Sequence, residues 1–190
     1  MYRYIIIESK QNHKIDDDVI TLFSEIITCS KIIKNGHQAL MYFEHEVDVS
    51  FEDVIVNVIS DTLSDVRVYV SHALFTEDER DEDVRLIKEL LEGISFVKYF
   101  YLDDKVLVKH FMYHLTDQMK KLFLRKFYQD HVMIDTLKAY LDSNLNMVSA
   151  AKKLYIHRNT LIQRLDKFHQ VTGFDLRVFG DALLVYHLIN

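Results

Sequence analysis

The sequence has 190 residues, enough for one medium and one small domain. Hydrophobic residues make up 49% and charged residues 27%, which places the chain among folded globular proteins and excludes the disordered and collagen-like classes. The formal net charge of −6 argues against a nucleic-acid partner until it is divided along the chain: residues 1–125 carry 15 Lys/Arg against 23 Asp/Glu, whereas residues 126–190 carry 8 against 6.

There is no proline and there are four glycines, so long helices with short connections are expected. The single Cys29 cannot pair internally, and among Ile26, Ile27, Ile32 and Ile33 it reads as a small buried apolar group in a reducing compartment. Met1–Glu8 is too short an apolar run for a signal peptide, and no later stretch reaches the roughly 18 apolar residues of a membrane span. A cytoplasmic location without a membrane partner is therefore expected.

In chain order, residues 1–125 alternate short β-branched or aromatic runs with helical segments, the pattern of an α/β (α+β) domain. Strands are predicted at Tyr4–Ile7, Ala39–Phe43, Val66–His72 and Val97–Leu102, the last with Tyr99-Phe100-Tyr101 filling a sheet. Asp18–Cys29 reads as a helix from the i, i+3, i+4, i+7 spacing of Val19, Leu22, Phe23 and Ile26. Ser50 followed by Glu52 and Asp53 caps another, with Val54, Val58 and Ile59 as its apolar stripe. Thr76-Glu77-Asp78-Glu79 matches a capping box ahead of Val84, Ile87, Leu90 and Leu91, and Gly93 ends that helix. Its acidic run, Glu77–Asp83, lacks the spacing and glycine of a calcium loop and reads as a helix-start charge and solvated face. Thr116-Asp117-Gln118 opens a helix with Met119, Leu122, Phe123 and Phe127 inward.

The last third holds the informative pattern. A helix at about Tyr128–Ser143 offers Ile134, Leu137 and Leu141. A second, capped by Asn146, presents Met147, Ala151 and Leu154, and the small Ala151 admits a crossing helix at close range. After the corner Tyr155-Ile156-His157, Leu161, Leu165 and Phe168 fall at i, i+4, i+7 and turn inward. Asn159, Thr160, Gln163, Arg164 and Lys167 are then forced outward. Amides, a hydroxyl and cations on one exposed face suit a major groove, where Arg pairs with guanine O6/N7 and Asn or Gln with adenine N6/N7. Arg158, at the helix start, suits phosphate, and His157 reads as a helix-start residue touching backbone. Gly173 ends this helix in a left-handed cap, and a final helix from about Asp181 adds Leu184 and Leu188.

The segment His157-Arg158-Asn159-Thr160-Leu161, then Arg164-Leu165, then Thr172-Gly173-Phe174-Asp175-Leu176-Arg177 closely resembles the carboxyl-terminal domain of PucR/CdaR-type bacterial transcriptional regulators, itself similar to the Fis-type helix-turn-helix. The resemblance covers about residues 128–189. It implies an all-α helix-turn-helix domain over 126–190, a recognition helix at about 158–172, and Lys152 and Lys153 near the DNA backbone. It further implies that residues 1–125 form a sensory or assembly domain of degenerate GGDEF-like pattern, although no Gly-Gly-Asp/Glu-Glu-Phe sequence occurs.

The resulting expectation is a homodimeric, non-enzymatic regulator that binds double-stranded DNA through Lys152, Lys153, His157, Arg158, Asn159, Thr160, Gln163, Arg164 and Lys167. A small-molecule or protein effector would act at the first domain, and no cofactor, metal or catalytic residue is expected. His110 and His114 stand four apart as in a helical zinc site but lack the glutamate of a metalloprotease motif. Two alternatives are weighed: an adaptor that keeps the fold without binding DNA, and a small-molecule-binding enzyme in residues 1–125, against which stands the absence of any glycine-rich phosphate loop or nucleophile-base signature. Family members commonly carry a basic residue where this chain has Ile162, and often an aromatic where it has Gln163.

Overall fold

A computed structural model describes residues 1–10, 13–44 and 49–190. The chain divides into two units, Met1–Asp103 and Asp104–Asn190.

The first unit runs β1 (Arg3–Ser9), α1 (Asp17–Ile26), β2 (Cys29–Asn35), β3 (Gln38–Phe43), α2 (Phe51–Thr62), β4 (Val66–Val70), α3 (Glu77–Glu92) and β5 (Tyr101–Leu102). The sheet order is β2-β3-β1-β4-β5. Strand β1 is antiparallel to both β3 and β4, and β5 adds in parallel to β4. The β-α-β-β-α-β connectivity with β1 held between β3 and β4 is the split, ferredoxin-like arrangement.

Ile5 and Ile7 of β1 close on α1 and α2 together with Met41, Phe43 and Val68, burying Val19, Phe23, Ile55 and Val58. On α3, the Asp83 carboxylate accepts a 2.6 Å hydrogen bond from the Tyr4 hydroxyl, with both groups buried. Within the acidic run expected to serve mostly as a helix-start charge and solvated face, Asp83 is buried. Arg67 of β4 donates to the carbonyls of Leu91 and Ile94 at 2.8 Å and to Glu8 at 2.5 Å. It thereby satisfies orphan acceptors at the C-terminal end of α3.

Several expectations change here. The helix expected to reach Cys29 ends at Ile26, because residues 29–35 pair with β3 as an edge strand. Cys29 is half-buried, Ile32 and Ile33 are 38% and 41% exposed, and burial pushes the thiol pKa up. The strand expected at Val97–Leu102 shrinks to Tyr101–Leu102. Residues Phe96–Lys98 form a 3₁₀ turn in which Val97 is 82% exposed, and Phe100 is exposed as well. On α2 the buried face is Phe51, Ile55 and Val58, with Val54 and Ile59 partly buried.

The second unit is helical: α4 (Asp104–Phe111), α5 (Asp117–Leu124), α6 (His131–Leu141), α7 (Met147–Lys153), α8 (Arg158–Thr172) and α9 (Phe179–Ile189), with a 3₁₀ turn at Arg125–Phe127. Helices α4 and α5 precede the boundary expected at residue 125, yet they pack on α9 and so belong to this unit. Helix α6 packs on α7, α8 and α9. It buries Met133, Thr136, Leu137 and Tyr140, a face rotated from the expected Ile134, Leu137 and Leu141, of which only Leu137 is buried. Phe127 and Phe168 stack at 5.5 Å between ring centroids in the core. No helix among the described residues is long and apolar enough to cross a membrane.

Candidate nucleic-acid interface

Two helices and a tight corner build the site. The Asn146 side chain accepts from the Ser149 N–H at 2.9 Å and starts α7, which buries Ala150 and Ala151 against its neighbours. The corner is a Schellman motif: the Ile156 N–H reaches the Ala151 carbonyl at 3.0 Å and the Tyr155 N–H the Lys152 carbonyl at 3.2 Å. Tyr155 occupies the left-handed position with φ 53°, a place usually given to Gly or Asn, and its side chain is 96% exposed. His157 then caps α8, its Nδ1 accepting from the Asn159 N–H at 3.1 Å.

Helix α8 buries Leu161, Leu165, Phe168 and Val171. That stripe rotates Arg158, Asn159, Gln163 and Lys167 into solvent, while Thr160 and Arg164 lie half-buried at its edge and Ile162 is also half-buried. At 15 residues α8 is about 22 Å long, and its exposed row can lie in a groove about 12 Å wide. Its far end is fixed by Gly173 at φ 78°, whose N–H meets the His169 carbonyl at 2.8 Å. Beyond it, Arg177 clamps Asp166 at 2.8 Å and Asp175 at 2.7 Å. The Arg177 guanidinium holds the Asp175 carboxyl below the usual carboxylate range. Buried Asp181, at the start of α9, accepts from the Asp175 N–H at 2.8 Å and from Lys105 of α4 at 2.7 Å.

The nine residues expected to touch DNA therefore gather on α7, the corner and α8, but not on equal terms. Lys152, Arg158 and Lys167 are exposed and make no ion pair or side-chain hydrogen bond among the described residues. Lys153 donates to the Asp142 carbonyl at 3.2 Å. Arg164 departs from the outward orientation expected of it: its Nη1 donates to the buried Thr136 hydroxyl at 2.8 Å, and that hydroxyl in turn donates to the Val132 carbonyl. Sequence reasoning passed over Thr136 and named Tyr155 only as part of the corner. Thr136 lies 28 residues from its partner and leaves no local signal.

His110 stacks edge-on against Phe111 and His114 is exposed. No group of three His, Cys, Asp or Glu side chains able to hold a metal is found among the described residues.

Residues 133–188 match the family described as the PucR C-terminal helix-turn-helix domain. The chain is 45% identical over 51 residues to the carbohydrate diacid regulator of Escherichia coli and 39% identical over 49 residues to the purine catabolism regulatory protein of Bacillus subtilis. These matches cover 27% and 26% of this chain but only 13% and 9% of the relatives. A longer match joins it to the DNA-binding transcriptional activator AdeR of B. subtilis, 30% identical over 94 residues, 46% of this chain and 21% of that protein. The chain thus corresponds to a minor part of each relative's length. A fold with two capped helices around a left-handed corner, and a family match over the same residues, agree: the second unit of this chain carries a PucR C-terminal helix-turn-helix domain.

Proposed function

We propose that this chain is a sequence-specific DNA-binding transcriptional regulator that works as a homodimer, with α8 entering the major groove. The observation that carries the reading is the exposed row Arg158, Asn159, Gln163 and Lys167, turned outward by the buried Leu161, Leu165 and Phe168. Asn159 and Gln163 are the base readers, while Lys152, Arg158 and Lys167 hold phosphates. Thr160, His157 and Lys153 line the same surface. Two copies would address half-sites about 34 Å apart. Residues 1–103 act as the sensory or assembly domain, of degenerate GGDEF-like type, and the regulator works in the cytoplasm by binding and not by catalysis.

Mobility shifts on genomic fragments test this. Asn159→Ala or Gln163→Ala should cost ~1–3 kcal/mol at one base pair and relax specificity there. Lys167→Ala should instead weaken binding evenly over all sequences. A full chain that retains no duplex DNA at low salt refutes the reading. A second reading, an adaptor that has given up DNA, is favoured by one observation: Arg164 and Lys153 are committed to partners within the domain. Such an adaptor would fail the same assay.

A further inference from the structure

Helix α4 lies outside residues 133–188, yet its first two residues are each held by an ion pair within the second unit. The buried Asp104 carboxylate accepts from Arg125 at 3.0 Å. Arg125 opens the 3₁₀ turn that carries Phe127, the ring stacked on Phe168 of α8. Lys105 donates to Asp181 Oδ2 at 2.7 Å, and the Asp181 side chain is only 8% exposed. The same oxygen accepts from the Asp175 N–H at 2.8 Å, just past the Gly173 that ends α8.

We infer that Lys105 is a positioning residue for the DNA-binding surface, acting through Asp181 on the C-terminal anchor of α8. The inference rests on the regulator reading above and adds to it a residue from outside the matched domain. A carboxylate taken out of water needs a counter-charge, and Lys105 is the one cation paired with Asp181 among the described residues. Held in this way, Asp181 fixes the backbone at Asp175. Asp175 accepts from Arg177, which also reaches Asp166 on α8 itself.

Removing the ammonium strands a buried charge, because Asp181 is left with an N–H donor and no cation. The relief open to it is to turn toward water and give up the Asp175 N–H. The last turn of α8 then loses its backstop, and the outward row from Arg158 to Lys167 no longer keeps one fixed angle to the rest of the domain. Lys105 thus acts on DNA binding without touching DNA. The Asp104–Arg125 pair holds the start of α4 in place, so that the ammonium is presented to Asp181 and is not left to solvent.

The test uses the full chain and a genomic fragment that the parent retains in mobility shifts. Lys105→Met keeps the apolar stem and removes the ammonium; Lys105→Gln replaces it should the first not fold. Well below melting, either should weaken DNA binding about tenfold with the salt slope unchanged. Hydrogen exchange should quicken at residues 173–176 and not in α6. Lys105→Arg should restore both. Adding Asp181→Asn removes the stranded charge and keeps an oxygen for the Asp175 N–H, so the double variant should bind within about twofold of the parent. A lower melting temperature with affinity and exchange unchanged would reduce the pair to a brace and overturn the inference. So would a salt slope shallower by ~0.9, which would put Lys105 itself on a phosphate. An affinity loss that persists in the double variant would overturn it as well, since Lys105 would then not act through Asp181. A parent that binds no DNA sinks the regulator reading, and the exchange pattern then decides the inference.

Discussion

Arg164 can be separated from the other recognition-face residues by one isosteric change on a different helix. Thr136→Val on α6 keeps the volume of a fully buried side chain but removes the hydroxyl that accepts from Arg164 Nη1 at 2.8 Å and donates to the Val132 carbonyl at 2.7 Å. A hydrogen bond to a charged donor contributes ~1.5–3 kcal/mol when buried; because the Arg164 side chain is half-exposed and water can replace part of the interaction, about 1 kcal/mol remains. In a helical unit of this size that corresponds to ~4–8 °C in melting temperature. Urea unfolding of Thr136→Val, Arg164→Ala and the double variant measures the coupling directly, and it should come out near ~1 kcal/mol.

DNA affinity then distinguishes a strut from a reader. If Arg164 orients α8 on α6, Thr136→Val and Arg164→Ala weaken DNA binding together and no base preference is lost. If Arg164 reads a base, freeing it in Thr136→Val leaves affinity intact or raises it. A coupling below ~0.3 kcal/mol together with unchanged DNA affinity in Thr136→Val would refute the strut.

Tyr155→Gly removes a side chain from a left-handed corner that costs a non-glycine residue roughly 1 kcal/mol, so differential scanning calorimetry should show a higher melting temperature despite the looser unfolded chain. The Asp175 carboxyl, held below its ordinary value by its hydrogen bond from Arg177, contributes stability that is full above the unfolded value of about 3.9 and is lost as pH falls through the lower folded value. Arg177→Ala should therefore flatten the loss of stability below about pH 4, as followed by circular dichroism.

What could be read from the sequence was what is encoded within a few neighbouring residues. Ser50, Thr76, Thr116 and Asn146 each cap the helix they were expected to cap, because the hydroxyl or amide and the N–H it accepts from lie three residues apart. Leu161, Leu165 and Phe168 turn inward for the same reason of spacing. The misses required distant partners. Strand β2 carries no alternating pattern because, at the sheet edge, its side chains from Ser30 to Asn35 stay exposed, and only pairing with β3 makes it a strand. The aromatic run at 99–101 has strand composition, but of its three residues Tyr101 alone enters the strand, opposite Val68, while Phe100 lends its carbonyl to the Val68 N–H at 2.8 Å.

The modest charge of the second unit sets how such a domain must bind. Of the cations on α7 and α8, Lys153 and Arg164 already have acceptors within the domain, leaving Lys152, Arg158 and Lys167 for phosphate. Three contacts imply a salt slope near ~−2.7, so one copy should lose affinity ~40-fold between 50 and 200 mM salt, and two copies acting together ~2,000-fold. What charge does not supply, rigidity does: α8 is fixed by the Schellman corner and His157 at one end and by Gly173, Arg177 and Asp181 at the other, so little ordering cost is left to binding. Measured slopes on one-site and two-site duplexes should therefore differ by a factor of two. A one-site slope steeper than about −4 would mean that Lys153 and Arg164 leave their partners for phosphate, and that the pre-set surface described here is not the one that meets DNA.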